Sequence, residues 1–129
     1  MSINILIVDD SAVMREMIIK IMRMSGLPLG DMFEAANGQE GLQALDKHWI
    51  DLAVLDINMP VMTGEEMINC MHENPATKDI PVLVVSTEGS ETRIEKFRSL
   101  GARFIQKPFS PETIRDTVKD MTGIGDNDE

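Results

Sequence analysis

Short apolar runs alternate with amphipathic helical stretches along the chain, and this alternation restricts the possible folds more than any other feature of the sequence. The first run, Ile3–Val8, is almost continuously apolar, which is typical of a strand buried on both of its faces. The stretch that follows, Ala12–Met24, has the apolar spacing of a helix. Strands and helices that alternate in this way favour a parallel sheet covered by helices on both faces.

The later segments repeat the same order. Four more strands are predicted, at residues 32–35, 52–55, 82–85 and 104–105. Four more helices are predicted after the caps Asn37 and Thr63, around Ile94, Phe97 and Leu100 up to a stop at Gly101, and after Ser110–Pro111. Right-handed crossovers between such strands give a doubly wound α/β fold, in which ligands bind beyond the carboxyl ends of the strands.

Methionine is common in this chain, and we interpret most of its copies as core residues. On the first helix, Val13, Met17, Ile21 and Met24 fall on one face. Because unbranched thioethers fill irregular gaps, the methionines at helical spacing are expected to fill the core rather than to form a recognition stripe. These are Met17, Met22, Met24, Met67, Met71 and Met121.

Charge, cysteine content and hydropathy exclude several classes of protein. The 129 residues carry a formal net charge of −10, which disfavours direct binding to nucleic acid or to anionic membranes. No apolar stretch is long enough to span a membrane, and no basic leader precedes Ile3. The single cysteine, Cys70, excludes an internal disulfide and fits a reducing compartment, so we expect a cytoplasmic protein.

Ionisable and hydroxyl side chains follow the carboxyl ends of the predicted strands. Asp9 and Asp10 follow the first strand, Asp56 the third, Ser86 the fourth and Lys107 the fifth. Three carboxylates that converge on one site repel each other unless a cation neutralises them, and Mg²⁺ prefers oxygen ligands, water and phosphate. Two carboxylates can hold the metal while the third attacks phosphorus and forms an aspartyl phosphate. Mg²⁺, the Lys107 ammonium and the Ser86 hydroxyl can then each contact one equatorial phosphoryl oxygen.

Four motifs at these positions resemble those of the response-regulator receiver family. They are Val8-Asp9-Asp10-Ser11, Asp56-Ile57-Asn58-Met59-Pro60 with Gly64, the hydroxyl residue Ser86, and Lys107-Pro108-Phe109. The resemblance covers residues 3–121. It implies a flavodoxin-like, CheY-like five-stranded sheet of order 2-1-3-4-5 flanked by five helices. It also implies a receiver domain over residues 1–122 and an acidic C-terminal tail over residues 123–129.

The resemblance implies how the acidic residues act. By similarity, Asp56 is the phospho-acceptor and receives its phosphoryl group from a histidine kinase. Mg²⁺ is bound by Asp9, Asp10, Asp56 and the main-chain carbonyl of Asn58. Such a domain is a signalling switch that assists its own phosphorylation and dephosphorylation, and we do not expect an enzyme acting on other substrates.

Other positions are expected to contact the phosphoryl group or to transmit its presence. By similarity, Ser86 and Lys107 contact the phosphoryl group, and the Lys107–Pro108 peptide is usually cis. Phe104 stands where the family keeps an aromatic switch, while Asn58 and Glu88 occupy two positions that tune the lifetime of the phosphorylated state. The output is expected to be a downstream protein bound by the face of the fourth helix, fifth strand and last helix.

The residues leave three kinds of function open. The first is a stand-alone switch whose output is a protein contact, and chemotaxis is one process that it would serve. The second is a receiver domain cut from a larger response regulator or hybrid histidine kinase. The third is a flavodoxin-like cofactor carrier or a phosphatase using Asp56. Asp9 and Asp10 disfavour the carrier, because they repel phosphate where it would need a phosphate-binding loop.

Overall fold

The computed structural model describes residues 2–57, 59–87 and 90–123. Across these ranges the strands are β1 (Ile3–Val8), β2 (Leu29–Ala35), β3 (Leu52–Leu55), β4 (Val82–Ser86) and β5 (Arg103–Gln106). The helices are α1 (Ala12–Met24), α2 (Gly38–Lys47), α3 (Gly64–Glu73), α4 (Glu91–Ser99) and α5 (Pro111–Thr122). All the predicted elements are present, although β2 begins earlier than predicted and β4 and β5 are slightly longer.

The strands form a parallel sheet in the order β2-β1-β3-β4-β5, as the resemblance implied. The chain moves outwards from β1 to β2 and then returns to place β3 on the other side of β1. This reversal makes the carboxyl ends of β1 and β3 the switch point, where ligands bind in doubly wound sheets. The predicted fold class is therefore confirmed.

Both faces of the sheet are covered, which explains the continuous apolar runs. Within β1, Leu6 and Val8 pack into one cluster with residues of α2, α3 and α4, including the fully buried Phe97. Ile5 and Ile7 point the other way and pack into a second cluster with residues of α1 and α5. Because both faces are buried, successive strand residues are apolar instead of alternating with polar ones.

Each helix begins at a capping side chain that accepts a hydrogen bond from the amide three residues later. The caps are Ser11, Asn37, Thr63, Ser90 and Ser110. At α3 the capping is reciprocal, because the Glu66 side chain accepts a bond from the Thr63 amide. The predicted caps at Asn37, Thr63 and Ser110 are confirmed. Gly101 follows α4 with a φ of 87°, as expected of a glycine that stops a helix.

The predicted inner face of α1 is wrong. Val13, Met17 and Met24 are 71%, 50% and 64% exposed, whereas Ile18 and Met22 are buried against the sheet. Apolar residues occupy most positions of this helix, so the apolar spacing does not decide which face turns inwards. Of the methionines predicted in the core, Met17 and Met24 are therefore on the surface. Met22, Met67 and Met71 are fully buried, and Met121 packs against the second cluster.

Two further expectations concern membrane spans and the C-terminal tail. No helix in the described part of the chain is long and apolar enough to cross a membrane. Helix α5 ends at Thr122, and Gly123 closes it with a φ of 71°. The rest of the predicted acidic tail, residues 124–129, lies outside the described residues.

Candidate functional site

The carboxyl ends of β1 and β3 bring three aspartates together. The pairing of these strands places Val8 level with Leu55, so Asp9 and Asp56 leave the sheet side by side. The Asp56 amide donates to the Val8 carbonyl at 3.0 Å, which extends the pairing by one residue. Carboxylate oxygens of Asp9, Asp10 and Asp56 lie within 4.8 Å of one another. The three residues that the sequence predicted to converge therefore lie at one site.

Asp9 is the buried member of this cluster, with only 2% of its surface exposed. Its amide donates to the Ala35 carbonyl at 3.1 Å, and its Oδ1 accepts a hydrogen bond from the Ser11 amide at 2.9 Å. Among the described residues, its Oδ2 is buried without a hydrogen-bond partner. A buried carboxylate oxygen without a partner is unfavourable, and a hard divalent cation with carboxylate ligands would satisfy it. The donor set thus fits Mg²⁺.

Electrostatics at the cluster favour added positive charge. Burial is the main cause that raises the pKa of both Asp9 and Asp56 above the ordinary value of 3.8. The charge of Asp56 raises the pKa of Asp9 further, and that of Asp10 raises the pKa of Asp56. The Lys107 ammonium lowers the pKa of both Asp9 and Asp56, so its charge acts on the same site. A proton or a metal ion at the cluster would relieve the remaining repulsion.

Ser86 and Lys107 lie on the next two strands of the same sheet edge. Ser86 ends β4, which pairs with β3, and it is 4% exposed. Lys107 follows β5, and its amide donates to the Ser86 carbonyl at 2.8 Å. The Lys107–Pro108 peptide is cis, as the resemblance implied. A hydroxyl group and an ammonium group therefore stand on the strands beside the acidic cluster.

Three further residues were predicted to transmit the signal or to tune the lifetime of the phosphorylated state: Phe104, Asn58 and Glu88. Phe104 lies in β5 level with Val84, is half-buried, and packs against the cluster that contains Phe97. It is thus a strand residue next to the element that carries Ser86, which is compatible with the predicted role. Asn58 and Glu88 lie outside the described residues.

Sequence reasoning did not explain two residues near the cluster. A Cβ atom at Gly64 would lie 2.9 Å from the carbonyl oxygen of Asp56, so only glycine fits this close approach at the start of α3. Gly64 belongs to the resemblance motif, but its reason is visible only in three dimensions. Arg15, which lies in α1, donates to the carbonyl of Asp9 at 2.6 Å. Its spacing from Asp9 gave no signal of this contact.

The loop between β3 and α3 contains a strained turn. Val61 has a φ of 69°, and the Met62 amide donates to the Pro60 carbonyl at 2.6 Å, which defines a γ-turn centred on Val61. A β-branched residue with positive φ is a genuine outlier, and strain of this kind costs about 1–3 kcal/mol. The Val61 side chain is 74% exposed, so its burial does not offset the strain.

Replacing Val61 by Asn is expected to stabilise the protein by about 1 kcal/mol, because Asn adopts positive φ more readily. Urea unfolding followed by circular dichroism measures the change. Val13→Asn is the matched control, since Val13 is similarly exposed but lies in α1, where Asn gives no gain. An unfolding midpoint for Val61→Asn at or below that of the unaltered protein would contradict the strain at Val61.

Comparisons with known proteins agree with this geometry. The model of the response regulator receiver domain family matches residues 5–119. A chemotaxis protein CheY homolog of Campylobacter jejuni (strain 81-176) is 31% identical over 124 residues, covering 95% of this chain and 94% of the relative. The crystallised chemotaxis response regulator CheY4 of Vibrio cholerae is 32% identical with a TM-score of 0.81, covering 94% of this chain and 99% of that one.

A longer relative aligns through one part of its length. The phosphate regulon transcriptional regulatory protein PhoB of Pseudomonas aeruginosa is 34% identical over 129 residues, which is 97% of this chain but 55% of PhoB. The same domain thus aligns with proteins of different lengths. Together with the family match over most of the chain, the parallel sheet and the acidic switch point, this shows that the chain belongs to the response regulator receiver domain family.

Proposed function

We propose that this chain is a two-component response regulator that accepts a phosphoryl group on Asp56 from a histidine kinase. The observation that supports this proposal most directly is the acidic cluster, whose carboxylate oxygens lie within 4.8 Å of one another at the switch point. Asp9, Asp10, Asp56 and the carbonyl of Asn58 would hold Mg²⁺, which supplies charge neutralisation to the phosphoryl group when bound. The receiver domain would span residues 1–122, with a short acidic tail over residues 123–129, in the cytoplasm.

The proposed reaction is an in-line displacement at phosphorus. A carboxylate oxygen of Asp56 forms a bond to phosphorus while the bond from phosphorus to the donor atom breaks, and the electron pair leaves with the donor. The Lys107 ammonium neutralises charge on one phosphoryl oxygen, and the Ser86 hydroxyl donates to another. Water later cleaves the acyl phosphate, so the protein acts on itself as a switch and not as an enzyme with a separate substrate.

The proposed output is a change in the surface formed by α4, β5 and α5. Phosphorylation adds about −1.5 to −2 charge and three acceptor oxygens beside Ser86 and Lys107. Movement of Ser86 towards the phosphoryl oxygens would open space into which Phe104 packs. This new packing would stabilise the conformation that binds the downstream partner. A shallow groove of about 680 Å³ between β5 and α5 includes Phe104 and Thr117, which supports a protein partner at this surface. Asn58 and Glu88 would tune the lifetime of the signal.

The first test uses a small phosphodonor. Incubation with acetyl phosphate and Mg²⁺ is expected to add one phosphoryl group to the intact protein, detected by mass spectrometry, and omission of Mg²⁺ should prevent the gain. Beryllofluoride, a noncleavable mimic of the acyl phosphate, should bind under the same conditions. A protein that neither gains mass nor binds beryllofluoride with Mg²⁺ present would contradict the proposal.

An apolar groove beside Lys107 is a suitable docking surface for the phosphodonor protein. It has a volume of about 340 Å³ and is lined by Met14, Met17 and Ile21 of α1 together with Phe109. The donor must bring its phosphohistidine to Asp56. The groove includes Lys107, whose charge acts on Asp56, so a protein bound there would lie close to the acceptor. Met17, one of the two exposed methionines that were predicted to lie in the core, would then be a contact residue.

Met17→Glu is expected to slow phosphoryl transfer from a phosphorylated histidine kinase about tenfold or more, since a charge replaces apolar contact area. Phosphorylation by acetyl phosphate should be unchanged, because Met17 does not belong to the acidic cluster. Met24→Glu is the control, because Met24 is exposed on the same helix but does not line the groove. Equal kinase transfer to the two variants would exclude this docking surface.

The alternatives to be distinguished are a stand-alone switch, a receiver domain within a larger regulator, and a phosphatase. The CheY homolog and CheY4 align over nearly their whole lengths, which supports a stand-alone switch and a role in chemotaxis. PhoB, of which this chain spans about half, represents the alternative of a receiver within a larger regulator. A phosphatase would release phosphate from a small ester in many-fold excess over protein, whereas the proposed switch would not accumulate product in this way.

A further inference from the structure

Asp9 has four polar atoms, and three of them form hydrogen bonds with other described residues. Its amide donates to Ala35, its Oδ1 accepts from the Ser11 amide, and its carbonyl oxygen accepts from the guanidinium of Arg15 at 2.6 Å. The carbonyl hydrogen bond comes from a side chain because Asp9 lies just beyond the last residue of β1. The atom left over in the described structure is Oδ2, which belongs to the acidic cluster.

Arg15 is itself held from a second side. Its Nε donates to Glu34 Oε1 at 2.9 Å, and Glu34 lies on β2 level with Ile7 of β1. The Arg15 side chain is only 16% exposed, whereas that of Glu34 is 43% exposed, so the guanidinium is the more shielded partner of this ion pair. Two nitrogen atoms of one planar guanidinium thus connect the edge strand to the main chain of Asp9. A planar fork of donors suits this double contact, and a lysine could make only part of it.

We propose that Arg15 is a positioning residue for Mg²⁺ binding, holding the main chain of Asp9 through a guanidinium that Glu34 orients. The proposal rests on the proposed function, because it assumes that Asp9 ligates the metal. In the described contacts Arg15 forms no ion pair with the carboxylates of Asp9, Asp10 or Asp56; it holds the Asp9 carbonyl and thereby the direction of the Asp9 carboxylate. Residues that orient metal ligands in this way typically change metal affinity by about 10–100-fold when replaced.

Charge alone predicts the opposite result for Arg15. A guanidinium close to the cluster repels a cation, so its neutralisation would tighten Mg²⁺ binding if electrostatics were its whole effect. Positioning predicts weaker binding, because Asp9 loses the donor that holds its carbonyl. The sign of the change in Mg²⁺ affinity upon Arg15→Gln therefore separates the two roles.

The test is calorimetric titration of the metal-free protein with MgCl₂. Arg15→Gln is expected to weaken Mg²⁺ binding about tenfold or more, and Arg15→Lys and Glu34→Gln by smaller factors. Arg98→Gln is the control, since Arg98 makes an exposed ion pair with Glu95 on α4 and should leave the affinity unchanged. At saturating Mg²⁺, the Arg98→Gln protein should be phosphorylated by acetyl phosphate at the unaltered rate, because Arg98 lies on α4 and pairs only with the exposed Glu95 among the described contacts.

Hydrogen exchange in EDTA supplies a second readout that needs no metal. Amides of residues 9–15 should exchange faster in Arg15→Gln than in Arg98→Gln. Unchanged or tighter Mg²⁺ binding by folded Arg15→Gln would overturn the proposal. If that variant does not fold, Mg²⁺ affinities of Arg15→Lys and Glu34→Gln equal to that of the unaltered protein would overturn it. Failure of the unaltered protein to bind Mg²⁺ contradicts the proposed function instead, and exchange at residues 9–15 still tests the hold of Arg15 on Asp9.

Discussion

Replacing Asp56 by Asn is expected to reduce phosphorylation by acetyl phosphate below detection. Asn has the shape of Asp but lacks the anionic oxygen that attacks phosphorus, so the fold is kept and the nucleophile is lost. Intact-mass spectrometry with Mg²⁺ present measures the effect. Asp46→Asn is the control, because Asp46 is an exposed residue of α2 outside the acidic cluster and should leave the mass gain unchanged.

The neighbours of Asp56 make this experiment more specific. Asp10 is exposed at the same cluster and is therefore an accessible alternative acceptor. A phosphoryl group that still appears in Asp56→Asn would show that a different residue is the acceptor, and peptide mapping would identify it. Loss of phosphorylation in both Asp56→Asn and Asp46→Asn would indicate a general defect and would contradict the assignment of Asp56.

Replacing Asp9 by Asn is expected to have two opposite effects. Mg²⁺ binding should weaken by at least about 100-fold. Replacing a residue that only orients a metal ligand already lowers metal affinity about 10–100-fold, and here the ligand itself is lost. The metal-free protein should become more stable by roughly 1 kcal/mol, because a buried charge next to Asp56 is removed. Calorimetry with MgCl₂ and urea unfolding in EDTA measure the two effects on the same sample.

The pH dependence of this stability follows from the raised pKa values. A carboxyl whose pKa is higher in the folded than in the unfolded protein destabilises the fold while it is ionised, which is the case at neutral pH. As the pH falls through the raised pKa of Asp9 towards 3.8, the folded state takes up a proton first and this penalty is relieved. The stability gain of Asp9→Asn in EDTA should therefore shrink as the pH is lowered. A gain that is constant from neutral to acidic pH would contradict the role of the Asp9 charge.

Much of the site could be predicted from the sequence because the fold has a simple rule. Carboxyl ends of parallel strands meet at one edge, so Asp9, Asp10 and Asp56 could be placed together once the strands were recognised. Lys107 acts electrostatically on that cluster, as its position after β5 suggested. Proposed roles for Asn58 and Glu88 came from the resemblance alone and remain predictions.

The apolar pattern was a weaker guide on α1 than in the strands. The central strands are buried on both faces, so every apolar residue there is a core residue and no choice of face arises. On α1 the choice arises, and Met17 and Met24 turned out to be exposed while Ile18 and Met22 are buried. The charged residues Glu16, Lys20 and Arg23 recur at helical spacing and are all exposed, so they mark the outer face that the apolar spacing alone did not identify.

The element order, most helix caps and the acidic residues at the strand ends could be predicted from the sequence, because these features depend on neighbours within a few positions. The packed structure was needed to show why Gly64 must be glycine and which atom of Asp9 lacks a partner among the described residues. It also joined Arg15 to Asp9 and to Glu34 on the edge strand. Such contacts link separate elements across the sheet, and their geometry exists only after the elements have packed.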